Sequence, residues 1–181
     1  MALEHALLVA LSERSGSGYE LARRFDRSIG FFWAATHQQI YRVLRRMEEA
    51  GWVVRTDVAQ EGRPDKKVYQ VAAAGRDELA RWLAEPVQPT TLRDELGVKL
   101  RGASLGDEGA VLREVERHRD EHAARLEAYK SIQRRDFPKP DALNGRELHQ
   151  YLVLRGGIRA EQSFVDWCAE VVDALRAEGP R

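Results

Sequence analysis

Thr36-His-Gln-Gln-Ile-Tyr-Arg-Val-Leu-Arg-Arg-Met-Glu-Glu-Ala-Gly51-Trp-Val53 decides how the rest of this chain is read. Thr36 and Gln39 have the Thr-x-x-Gln spacing of a capping box, in which each side chain satisfies a free amide of the other, so a helix starts here. Ile40, Val43, Leu44 and Met47 follow at i, i+3, i+4 and i+7 and form one apolar stripe. At about 100° per residue, Gln38, Arg42, Arg45 and Glu49 lie opposite it, and Gly51 stands where a C′ glycine ends a helix. A short helix with Gln and Arg outward suits a DNA major groove, where Arg pairs with guanine and Gln with adenine. The same pattern also describes an ordinary solvated surface helix.

Two further observations favour nucleic acid. After Arg27 no Asp or Glu occurs up to Met47, while Arg42, Arg45 and Arg46 fall inside that window. A phosphate-facing surface needs such a local absence of negative charge. The helix is followed by Trp52–Asp57 and Val68–Ala72, short β-branched segments that read as strands. Between them lie Gly62 and Pro64, which favour a loop, with Arg63, Lys66 and Lys67. Three helices and then a basic hairpin form the winged variant of the helix-turn-helix, the wing placed for backbone or minor groove.

Whole-chain charge does not advertise this role. The chain has 181 residues with 29 basic and 29 acidic side chains, 13 against 12 before Pro86 and 16 against 17 after it. Binding must therefore come from a focused patch, with two copies of the chain contributing. The lone cysteine, Cys168, excludes an intrachain disulfide and suits a reducing cytosol. It belongs to an apolar stripe with Val165 and Val172, where packing is its expected role. Met1–Leu11 carries Glu4 and no basic lead, unlike a secretory signal, and no run approaches the ~20 apolar residues of a membrane span. A cytoplasmic protein is expected.

A first helix is expected from Ala2 to about Ser12, burying Leu3, Leu7, Leu8 and Leu11. Arg14–Gly18 reads as a flexible connector. Ser17 is a candidate N-cap for a second helix that turns Leu21, Ala22 and Phe25 inward, and whose amides could hold a phosphate. Phe31, Phe32 and Trp33 read as core beneath the third helix or as a contact with a second subunit. A fourth helix over Arg76–Leu83 ends before the Pro86–Thr91 linker, the clearest boundary. Beyond it come a short helix over Arg93–Leu100, a long charged helix over about 110–134, a turn at Phe137–Pro140 and a last helix over about 145–177. The fold class is mainly α: a winged helix-turn-helix domain over 1–86, then a long-helix dimerisation domain over 87–181. The last helix spreads apolar residues from Leu148 to Leu175 over so wide an arc that a second copy is the expected cover. Cover from within the chain is the alternative.

His118 and His122 stand at i, i+4, but two histidines are half a tetrahedral set, so no metal is assigned. No cofactor is expected. Phosphate-loop, His-Glu-x-x-His, Gly-x-Ser-x-Gly and Cys-x-x-Cys motifs are absent, so nothing argues for an enzyme. A winged-helix module that recruits a protein partner without reading DNA is the rival from another class.

The chain resembles the PadR family of bacterial transcriptional regulators along essentially its whole length. The resemblance rests on Ala6–Leu11 with Gly18-Tyr-Glu-Leu21, on Gln39–Gly51, on Gly62–Tyr69, and on Ala74-Gly-Arg76 with Arg81-Trp-Leu83. The second half is similar to the subfamily with a large C-terminal dimerisation domain. The resemblance implies a homodimeric repressor on a palindromic operator in double-stranded DNA, released by a small, often aromatic, effector. It implies that Gln39, Tyr41 and Arg42 face DNA, that Arg63, Lys66 and Lys67 touch backbone or minor groove, and that Tyr19 meets phosphate. With the helix-start and outward residues, the candidate DNA-facing set is Tyr19, Thr36, His37, Gln38, Gln39, Tyr41, Arg42, Arg45, Arg46, Arg63, Lys66 and Lys67. Two departures stand out: Ala35-Thr-His-Gln38 replaces the usual Pro-Gly or Ser-His-Gly lead, and Ala72 or Ala73 replaces a threonine before the fourth helix. Trp33, Trp82 and Trp167 are aromatic surfaces on which a flat effector could stack, although core packing is their ordinary role, and no effector site is assigned.

Overall fold

The computed structural model of the chain describes residues 2–27, 35–59, 66–88 and 94–178. They divide into two units, Met1–Pro89 and Thr90–Arg181. In the first, the order is α1 (Ala2–Glu13), β1 (Gly16–Ser17), α2 (Gly18–Arg27), α3 (His37–Glu49), β2 (Val53–Val58), β3 (Lys66–Val71) and α4 (Ala73–Leu83).

Both ends of α3 are set by the residues that flank it. Thr36 is an extended N-cap, and the capping box closes in both directions with Gln39. At the other end Gly51 takes φ +70°. The Gly51 amide donates to the Glu48 carbonyl at 3.0 Å and the Trp52 amide to the Met47 carbonyl at 2.9 Å. That bond pair is the Schellman stop, which needs a left-handed residue and therefore favours glycine. Between the caps Ile40, Val43, Leu44 and Met47 are buried, as their spacing predicts. They join Leu7, Leu8 and Leu11 of α1 and Leu21, Ala22 and Phe25 of α2 in one core, with Val53 and Tyr69 from the strands. Full burial of each Leu, Ile, Val, Phe or Met side chain contributes about 1.5–3 kcal/mol, so the core fixes which face α3 leaves outside.

The sheet runs β1-β3-β2, antiparallel throughout. Arg55 stands opposite Tyr69, and Asp57 opposite Lys67. The first strand corrects the sequence reading, which made Arg14–Gly18 a flexible connector. Gly16 and Ser17 pair with Tyr69 and Val68. Two small residues carry no strand pattern of their own; their pairing comes from the free edge that β3 offers. The fourth helix begins at Ala73, three residues earlier than its pattern suggests, with Ala72 as an extended N-cap that makes no side-chain cap bond.

The second unit contains α5 (Glu95–Arg101), α6 (Glu108–Asp136) and α7 (Gly145–Glu178), with short 3-10 turns at Ala103–Leu105 and Pro140–Ala142. Asp94 and Asp107 cap α5 and α6. Along the α6–α7 pair one cluster buries Leu96, Val115, Cys168 and Val172, and another Leu126, Tyr129 and Ile158. Of the broad apolar arc on α7, only Ile158, Cys168 and Val172 are buried, while Leu152 and Val153 stay more than half exposed. Among the described residues no helix is long and apolar enough to cross a membrane.

Candidate nucleic-acid interface

The outer face of α3 presents His37, Gln38, Gln39, Tyr41, Arg42, Arg45 and Arg46, all exposed. The three arginines differ in what they touch. The Nε of Arg45 meets Glu49 one turn on at 3.0 Å, both side chains well exposed. Arg46 reaches across to the largely buried Glu4 of α1, and so ties α3 to the helix behind it. Arg42 has no ion-pair partner among the described residues. It is the arginine of this face whose guanidinium is available to an outside acceptor, in the fork geometry that suits guanine O6 and N7.

Thr36 and Gln39 are occupied by the helix start. The Gln39 amide donates to Thr36 Oγ1 at 3.2 Å. In return the Thr36 amide donates to Gln39 Oε1 at 2.8 Å. This sets Gln39 as a cap and leaves Gln38 as the freer amide side chain on this turn.

Tyr41 is half exposed, and its ring lies against Gly18, the first residue of α2. A Cβ on Gly18 would stand 2.4 Å from Tyr41 Cε1, so only a residue without a Cβ lets the ring rest where it does against the start of α2. Tyr19, also exposed, sits beneath the Arg23 guanidinium, 5.8 Å from its ring centre.

Ser17 caps α2 as its position suggests, and Glu20 answers it. The Glu20 amide donates to Ser17 Oγ, and the Ser17 amide donates to Glu20 Oε2 at 2.9 Å. A carboxylate therefore stands at the helix start that the sequence reading offered to a phosphate. Its other oxygen, Oε1, accepts from Lys66 Nζ at 2.7 Å. The Lys66 bond, then the Ser17 amide, push the Glu20 carboxyl down to about 2. Lys67 is exposed and has no ion-pair partner among the described residues. Arg63 lies outside the described residues, as do Gly62, Pro64, Phe31, Phe32 and Trp33.

Sequence reasoning missed the carboxylates Glu4 and Glu20 that neutralise Arg46 and Lys66. Glu20 had a signal, since Ser17-x-x-Glu20 is itself a capping box; Glu4 had none. It also missed His5, a buried polar residue stacked on Trp82 with ring centres 4.5 Å apart and bonded to Glu78 at 2.9 Å. Trp82 thus packs within the first unit, and Trp167 packs against the Cys168 cluster. In the second unit His122 pairs with Glu161 at 2.5 Å and stacks flat on Phe164. His118 faces Glu114 at 3.5 Å. The Cys168 thiol is pushed up by burial, which holds it in the protonated, unreactive form.

Residues 7–81 match the model of the transcriptional regulator PadR-like family, and residues 92–176 that of the virulence activator alpha C-terminal domain. The chain is 57% identical to a probable transcriptional regulator of Mycobacterium tuberculosis over 97% of its length and 98% of that protein. The virulence activator AphA of Vibrio cholerae superposes with a TM-score of 0.82 at 31% identity, covering 98% of this chain and 99% of that one. The negative transcriptional regulator PadR of Bacillus subtilis is 26% identical, over 94% of this chain and 95% of its own. Its structure with operator DNA superposes with a TM-score of 0.85 at 24% identity, covering 97% and 99%. At that identity the superposition speaks to the fold.

Proposed function

The chain belongs to the PadR-like family of transcriptional regulators, and on that premise we propose that it is a homodimeric DNA-binding repressor that a small aromatic effector releases from its operator. The observation that carries DNA reading is the outward face of α3. That helix is fixed at both ends, anchored by four buried side chains, and presents Arg42 with no ion-pair partner among the described residues. Lys67, on the wing strand, is a second cation with no ion-pair partner among the described residues. In this reading 1–86 is the DNA-binding domain and 87–181 the dimerisation domain, and the protein acts in the cytoplasm. DNA-facing roles fall to Arg42, Gln38, His37, Tyr41, Tyr19, Lys67 and Arg63. Thr36, Gln39, Arg45, Arg46 and Lys66 act chiefly by holding the surface in shape.

Dimerisation is supported by the partly uncovered apolar arc of α7, with Leu152 and Val153 open to a second copy. Two copies also suit a neutral chain, because two reading helices about 34–36 Å apart meet successive major grooves. Effector release is supported by kinship to PadR, whose structure with p-coumaric acid is known. Activation is favoured by a separate observation, the match of 92–176 to the virulence-activator domain.

The test is fluorescence anisotropy with DNA from upstream of the protein's own gene, alongside a reporter from the same promoter. Arg42→Ala is expected to lose about 1–3 kcal/mol and relax base preference at one position of each half-site, while Lys67→Ala weakens all sequences alike. Reporter output is expected to rise when the protein is deleted, and a fall would mark it as an activator. Binding unchanged in both variants would refute the reading.

A further inference from the structure

We propose that Glu20 is a positioning residue that clamps the base of the wing to the start of α2, and that Lys66, held in this clamp, gives no counter-charge to bound DNA. The inference rests on the DNA-binding reading for its second half only.

The geometry is a closed ring of contacts. Glu20 Oε2 is fixed by the Ser17 amide at 2.9 Å and the Ser17 hydroxyl at 3.1 Å. Glu20 Oε1 accepts from Lys66 at 2.7 Å. Ser17 in turn pairs with Val68, two residues along β3 from Lys66 and on the same side of the strand. Backbone ladder and ion pair thus hold the same short piece of β3 against the turn into α2. A Cβ on Gly16 would come within 3.2 Å of Glu20 Oε2 and 2.9 Å of Arg24 Nη2. The carboxylate therefore lies pressed over the strand.

This separates the described cations of the candidate surface into two groups. Arg45, Arg46 and Lys66 each have a carboxylate partner, whereas Arg42 and Lys67 have none among the described residues. Only a cation that neutralises a phosphate releases counterions, and each such contact adds about 0.9 to the magnitude of the slope of log K against log salt. A lysine that keeps its carboxylate adds nothing. Glu20 sets how much of the wing's affinity is sequence-independent, because freeing Lys66 strengthens binding to every sequence equally.

The experiment uses the full chain and the upstream DNA fragment, with anisotropy followed over a series of potassium chloride concentrations. Glu20→Gln is expected to steepen the salt slope by about 0.9 per chain. Glu20→Gln/Lys66→Met is expected to return it to the wild-type value. If Lys66 instead leaves Glu20 for a phosphate, Glu20→Gln matches wild type and the double variant is shallower by about 0.9 per chain, which overturns the second half. The clamp is tested without DNA, by following the Glu20 carboxyl by NMR titration in the free protein. Lys66→Met is expected to raise its midpoint from about 2 by about one unit or more; an unchanged midpoint overturns the clamp. A wild-type chain that retards no DNA would defeat the regulator reading, and the titration would still decide whether the clamp exists.

Discussion

Replacing Gly18 by alanine tests how closely the two helices of the helix-turn-helix must meet. The added methyl would stand 2.4 Å from Cε1 of Tyr41, with Cδ1 at 3.0 Å and Cζ at 3.2 Å. Carbon atoms attract best at about 3.5–4 Å, so the ring must retreat by about 1 Å. Overpacking of this kind costs about 1–3 kcal/mol. Tyr41 is 47% exposed, so its ring can swing outward, which places the cost near the lower end, at about 1 kcal/mol. The displaced ring then stands in the proposed DNA surface, so affinity falls by more than stability alone accounts for. Native-state hydrogen exchange at the amides of α1, α2 and α3 measures the stability of this unit by itself, which matters because the two units need not unfold together. In Tyr41→Ala the methyl meets no ring, and Gly18→Ala should then cost nothing. The expected coupling in the double-mutant cycle is about 1 kcal/mol. A coupling below about 0.3 kcal/mol would show that the contact does not set the helix approach.

Three other outcomes are expected. Ala72→Ser supplies the side-chain cap that α4 lacks at an extended N-cap, and should raise stability by about 1 kcal/mol in the exchange of α4 amides. Thr36→Ala should lower α3 stability by about 1 kcal/mol, and Gln39→Ala should add little to it once Thr36 is gone, while leaving base preference as in wild type. Acid should weaken the first unit in a defined window. Hydrogen bonds from Arg81, then from His5, hold the Glu78 carboxyl at about 2 against an ordinary 4.5. A carboxyl lowered by folding adds stability that is complete above its unfolded value and lost as pH falls through the folded one. Thermal melts should therefore drop between about 4.5 and about 2, and less steeply in Glu78→Gln.

The part of this fold legible in the sequence is the part written in local spacing. Thr36, Gln39 and Gly51 state the two ends of α3, and Ile40, Val43, Leu44 and Met47 state its inner face; all are decided within a few residues of chain. The outer face was legible as a list of polar side chains but not as a set of available ones. Glu4 lies 42 residues from Arg46, and Glu20 lies 46 from Lys66, so neither pairing has a period that betrays it. The same holds for His5 with Glu78 and for His122 with Glu161, where a polar side chain enters a helix packing face because a distant carboxylate meets it. β1 was hidden for a related reason: Gly16 and Ser17 become a strand only through the edge of β3.

The claim that α3 lies in a major groove with Arg42 on guanine is tested most directly by methylation interference. Methyl groups placed on guanine N7 block that acceptor in the major groove and leave the minor groove and the phosphates untouched. The expected result is interference at one guanine in each of two half-sites, about 10 base pairs apart or a multiple of that spacing. In Arg42→Ala the same guanines should lose their effect. Binding indifferent to N7 methylation, or interference that persists unchanged in Arg42→Ala, would contradict it.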